Sequence, residues 1–110
     1  MAGKVDIHRG DIWTYEFRHP DKSRPVLIVS RPDAIAVLHT VLVAPITSTI
    51  RGLPSEVVVG VHEGLKHDSA ANLDHIQTVE RARLGRFVGQ VSRDKMRRVC
   101  RAIAVATGCD

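Results

Sequence analysis

The hydrophobic pattern of this chain changes period once, and that change limits the folds open to it. From Asp11 to Val91 the apolar residues alternate or come in short runs bounded by turn chemistry, which is how β-strands read. In "DIWTYEF" (11–17), Ile12, Thr14 and Glu16 fall on one side and Trp13, Tyr15 and Phe17 on the other. "RPVLIVS" (24–30) reads as a second strand, "VLVAPI" (41–46) as a fully buried third, and "EVVVG" (56–60) as a fourth. "ANLDHIQTVE" (71–80) reads as a strand with room for a bend, and "LGRFVGQV" (84–91) as a short final one. The segments 19–23, 31–40, 47–55 and 61–70 read as connections. After Ser92 the spacing turns helical: Met96, Val99, Cys100, Ile103 and Ala104 line one side, and Arg97, Arg98 and Arg101 the other. Ser92 suits an N-cap, Asp94 the first turn, and Gly108 a stop. Short strands in sequence with one closing helix predict a mainly β fold with a C-terminal α-helix: a small barrel of mostly antiparallel strands, one domain over 1–110.

Charge narrows the partners. Sixteen Lys+Arg against twelve Asp+Glu give a net charge of +4, which permits a polyanion. Aromatic residues make up only 4%, too few for a surface that stacks successive bases on rings. Nucleic acid would therefore be held by arginine, backbone and hydroxyl groups. No apolar run approaches the roughly 20 residues that span a bilayer. The opening "MAGKVDIHRGD" has no apolar stretch to serve as a signal peptide, so a cytoplasmic protein is expected. Cys100 and Cys109 on one helix would stand roughly 13 Å apart, too far for a disulfide, and are expected reduced.

Arg24 stands out. It precedes Pro25 at the mouth of a strand, and a residue before proline is pushed into extended geometry. Its guanidinium is held over a rim, as a solvated charge or as an anion site. If strands two and three are antiparallel neighbours, the start of one lies beside the end of the other. Arg24 would then meet Thr47 and Ser48, a guanidinium and two hydroxyls suited to phosphate oxygens. The alternative is a solvated arginine beside an ordinary Thr/Ser loop. His8, His39, His62 and His67 show no metal-ligand spacing, so no metal site is expected. The arginines of the last helix read as a solvated face, and Trp13 as core or dimer interface.

Taken in order, "RGDIWTYEF", "RPVLIVS", "VLVAPITSTIRGLPSEVVV", "LDHIQTV" and "LGRFVGQVS" resemble the MazF/PemK toxin family over about residues 9 to 107. The resemblance implies an SH3-like barrel of the plasmid-maintenance toxin type. It also implies a homodimeric, sequence-selective and metal-independent endoribonuclease (an mRNA interferase) with no cofactor, silenced by a cognate antitoxin. The family's essential arginine falls on Arg24, its essential threonine on Thr47, and an aspartate that contacts RNA in some members on Asp74. "HPDKS" (19–23) is shorter than the glycine-containing loop usual before the Arg-Pro pair, so base preference and antitoxin fit are not inherited.

The implied chemistry is attack by a ribose 2′-OH on the adjacent phosphate of single-stranded RNA. A guanidinium keeps its proton at ordinary pH and is suited to stabilising the phosphorane rather than to removing a proton. Ser48, Asp74, Glu16 and His19 are the candidates for substrate contact, and the last three for the general base. His75, next to Asp74 in a strand, is expected to face the other way and to be structural. A basic rim on a cationic chain calls for an acidic, largely disordered antitoxin that folds into the RNA groove. Two other readings share the fold. One is a gyrase poison of the CcdB type, whose aromatic, hydrophobic C-terminus contrasts with "ATGCD" here. The other is a non-catalytic SH3-like binding module.

Overall fold

Among the described residues, seven antiparallel strands curl into one open, barrel-like sheet in the order β4-β5-β3-β2-β1-β7, with β6 pairing β3. They are β1 (Asp11–Glu16), β2 (Ser23–Ile28), β3 (Thr40–Thr47), β4 (Glu56–Val59), β5 (Ser69–Asn72), β6 (Gln77–Glu80) and β7 (Leu84–Gln90). Among the described residues, two α-helices accompany the sheet, α1 (Pro32–Val37) and α2 (Arg93–Thr107). The computed structural model describes residues 6–17 and 23–109. Among the described residues, no helix is long and apolar enough to cross a membrane.

Strand alternation builds two cores, one on each face of the sheet. Ile12, Leu27, Ala44, Ile46, Val57, Val59, Ala71 and Leu73 form one with Val99 and Ala102 of α2. Trp13, Tyr15, Val26, Ile28, Val41, Val43 and Val79 form the other with Ile35 of α1. "VLVAPI" supplies both, which is why it carries no polar face. Asp11 is buried and pins the start of β1: its carboxylate accepts from His8 N at 2.9 Å, Trp13 Nε1 at 3.1 Å and Gln90 Nε2 at 2.9 Å. Trp13 is core, with its ring edge-on to Phe87 at 5.9 Å between centroids.

Three expectations need correction. The connection 31–40 contains α1, which starts with Pro32 and buries only Ala34 and Ile35; one short turn and a half shows no period in a sequence. The 71–80 strand is two strands, β5 and β6, separated by a 3-10 turn at Leu73–His75, and β5 begins at Ser69, inside the expected loop. From the Ile46–Ala71 pair to the Val43–Gln77 pair, β3 advances three residues while the opposing segment advances six. The three extra residues are extruded as the turn, with Leu73 plugging the core. Finally, the buried stripe of α2 is Val99 and Ala102, flanked by Met96, Ile103 and Ala106. Cys100 is exposed instead, with Arg9 Nη2 donating to its sulfur at 3.2 Å. The ends of α2 are as expected: Ser92 Oγ accepts from Lys95 N at 3.1 Å, and Gly108 is left-handed at φ 74°.

One buried ion pair ties α2 to the loop after β4. Glu63 accepts from Gly60 N at 2.6 Å and from Lys95 Nζ at 3.0 Å. The loop lies so close to β7 that a Cβ at Gly89 would stand 2.0 Å from the Glu63 carbonyl oxygen. Burial pushes the Glu63 carboxyl up, but the Gly60 N–H and the Lys95 ammonium together hold it below the usual glutamate range. A depressed carboxyl stabilises the fold above its unfolded pKa and ceases to as pH falls through the folded value. Glu63→Gln should cost about 1–3 kcal/mol at pH 7. In urea unfolding, the gap to the parent should shrink at pH 3. An equal gap at both pH values would show that the charge of Glu63 is not what stabilises the loop.

Candidate active site

Arg24 sits on β2 with its side chain exposed, paired across β1 with Tyr15. Paired residues of an antiparallel ladder share a face, so Arg24 continues the row of Val26 and Ile28 and emerges where that row leaves the core. The β2–β3 ladder runs Ile28–Val43, Leu27–Ala44, Val26–Pro45. Pro25 and Pro45 have no N–H to donate, and the ladder ends there. On its other edge, β3 pairs Ile46 and Thr47 with Ala71 and Ala70 of β5. Extended by two residues past the end of the ladder, the β2–β3 register would put Arg24 opposite Thr47 on the same face.

Thr47 is the last residue of β3 and half-buried. Its Oγ1 accepts from Thr49 N at 3.2 Å, which orients the oxygen and leaves the hydroxyl proton to donate. Ser48 follows, exposed, on the loop. Arg83 was not singled out from the sequence, yet its Cζ lies 5.7 Å from the centre of the Tyr15 ring and its Nη2 donates to Glu16 O at 3.0 Å. A second guanidinium therefore stands one strand away from Arg24.

Glu16 is separated from Arg24. It pairs with Ser23 rather than with Arg24, so its side chain leaves the opposite face of the sheet. His19 lies outside the described residues. Asp74 and His75 are both exposed on the 3-10 turn, so strand alternation does not set them apart as expected. A turn of this kind advances about 120° per residue rather than 180°.

The turn is held from below. Ser55 is buried and its Oγ donates to Asp74 Oδ2 at 2.5 Å. Asn72, also buried, accepts from Asp74 N at 2.9 Å through Oδ1, while its Nδ2 faces His75 Nδ1 at 3.3 Å. Leu73 N donates to Ser55 O at 3.0 Å. Next to Ser55, Glu56 Oε1 gathers the N–H groups of Arg51 and Gly52, each at 3.0 Å, and of Leu53 at 3.4 Å. One dipeptide, Ser55-Glu56, thus joins the loop that follows Thr47 to the turn that carries Asp74. Sequence reasoning missed these residues, because a Ser and a Glu between a loop and a strand look like surface chemistry. Among the described residues, no three His, Cys, Asp or Glu side chains are placed to hold a metal ion.

Comparison with known proteins agrees with this architecture. The family described as "PemK-like, MazF-like toxin of type II toxin-antitoxin system" matches residues 8–107. "Probable endoribonuclease MazF5" of Mycobacterium tuberculosis is 41% identical over 102 residues, covering 92% of this chain and 93% of that protein. The structure of "Mycobacterium tuberculosis toxin MazF-mt6" superposes with a TM-score of 0.83 at 36% identity, covering 91% of this chain and 98% of that one. An endoribonuclease from a mycobacterial species, solved in complex with its cognate antitoxin, gives 0.84 at 27% identity over 96% and 98%. A match along nearly the whole length, in sequence and in fold, makes this chain a member of the MazF/PemK toxin family of type II toxin–antitoxin systems.

Proposed function

We propose that this protein is a metal-independent, sequence-selective endoribonuclease that cleaves single-stranded RNA at the rim formed by Arg24 and Thr47. The observation that supports the reading is the β2–β3 register, which ends at the Val26–Pro45 pair and, extended by two residues, would bring Arg24 beside Thr47. They belong to a chain whose relatives are named endoribonucleases along nearly their whole length.

In this reaction a ribose 2′ oxygen attacks the adjacent phosphorus and gives up its proton to a base. The bond from phosphorus to the 5′ oxygen breaks, and that oxygen gains a proton. The products are a 2′,3′-cyclic phosphate and a 5′-hydroxyl. Arg24 supports the negative charge that grows on the phosphorane and donates toward the leaving oxygen. Thr47 adds its hydroxyl to the same charge, each such donor contributing about 10²–10³ in rate. Ser48 and Asp74 contact the RNA beside them. Because the ribose supplies the nucleophile, no metal-bound water is required.

The partner is a cognate antitoxin, as in the mycobacterial complex that shares this fold. With a net charge of +4 on the toxin, an acidic segment that orders on binding and covers the rim is the complementary inhibitor. The working form is a cytoplasmic homodimer.

The test is direct. Purified protein incubated with a mixed-sequence RNA should give discrete fragments with cyclic phosphate ends, at the same rate with and without EDTA. Activity lost in EDTA and restored by a divalent ion would overturn the metal-independent mechanism. RNA left whole in both conditions would overturn the nuclease reading.

A further inference from the structure

Building on that reading, we infer that Ser55 is a positioning residue for base selection: it occupies one oxygen of Asp74 so that the other is presented to a hydrogen-bond donor on the edge of an RNA base. Asp74 is exposed, yet its carboxylate is not free to turn. Ser55 Oγ holds Oδ2 at 2.5 Å from a buried position, and Asn72 fixes the backbone beneath it through Asp74 N at 2.9 Å. Among the described residues, the bonded oxygen is Oδ2, and Oδ1 accepts from none.

An ionised carboxylate only accepts hydrogen bonds. It suits the amino groups of adenine, cytosine and guanine and the imino N–H of uracil or guanine, and it opposes any base that turns a carbonyl or bare ring nitrogen toward it. A fixed acceptor discriminates better than a swivelling one, because the wrong base then leaves it unpaired in a defined place. Ser55 is hidden from solvent and is itself placed by its carbonyl, which accepts from Leu73 N at 3.0 Å. It therefore acts through Asp74 and not on the RNA.

The experiment sequences the fragments that the parent and variants release from a randomised RNA pool. The parent should show a base preference at the position of its cleavage site that Asp74 contacts. Ser55→Ala should relax that preference about tenfold, the size expected for a lost hydrogen bond to a charged group. Ser55→Cys should behave alike, since a thiol fills the space but donates weakly. Asp74→Ala should relax the same position, and Ser55→Ala added to Asp74→Ala should change nothing further. A purely structural Ser55 would lower melting temperature and overall rate without moving the base preference. A preference identical in parent and Ser55→Ala, or additive effects in the double variant, would overturn the inference. A parent that leaves the whole pool uncut would instead overturn the nuclease reading on which it rests.

Discussion

Arg24→Ala should abolish RNA cleavage, lowering the rate by about 10³-fold or more, while the sheet stays folded. Losing one donor to a developing anion costs about 10²–10³, and Arg24 is assigned both the phosphorane and the leaving oxygen. The fold should tolerate the change because the side chain is exposed, whereas the packing of β2 is carried by Val26, Leu27 and Ile28, each fully buried. Arg24→Lys should recover little, since a point charge does not reproduce the planar fork of a guanidinium. Initial rates on a fluorogenic RNA, with circular dichroism as the control for folding, decide the matter. A folded Arg24→Ala variant cutting within a few-fold of the parent would mean that Arg83, over the Tyr15 ring, or another cation does the work assigned to Arg24.

How much of this site could be seen beforehand depends on how local its determinants are. The Arg-Pro pair announces a strand mouth by itself, and "VLVAPITS" announces a buried strand that ends in hydroxyls; the structure adds that the two strands are antiparallel neighbours. Which carboxylate shares the face of Arg24 was not legible. A change of one residue in the β1–β2 turn would exchange Tyr15 for Glu16 opposite Arg24, and turn composition does not fix that register. The 3-10 turn at Leu73–His75 was hidden for another reason. Its cause is the three-residue mismatch between β3 and the segment that runs from β5 to β6, a tertiary fact with no local signal. Ser55 follows from it, since its partners Leu73 and Asp74 lie on a turn that only the folded sheet brings near; Glu56 and Asn72 bond within a few residues of themselves, in side-chain-to-backbone contacts that no hydrophobic pattern marks. The helix was more legible in extent than in orientation. Its period marked Cys100 as core, but packing against β4 and the turn rotates the buried stripe to Ala102.

An RNA carrying a single 2′-deoxyribose at the cleaved position should bind and remain whole. The proposed step has no other nucleophile, so removing one oxygen atom from the substrate should block it without any change to the protein. Binding should persist, because the phosphate contacts assigned to Arg24 and the loop after Thr47, and the base contact assigned to Asp74, do not use that hydroxyl. The deoxy oligonucleotide should therefore compete with intact RNA at a concentration within a few-fold of the substrate's own KM. A deoxyribose one nucleotide to either side should leave cleavage within about tenfold, since only an indirect contact is lost there. This pattern separates the mechanism from hydrolysis by water, in which the deoxy substrate would be cut and leave a 5′-phosphate or a linear 3′-phosphate. Recovery of either end would remove the chemical role given to the ribose. The rim would still be an anion site, but Arg24 and Thr47 would then have to orient a water molecule that nothing in their present geometry selects.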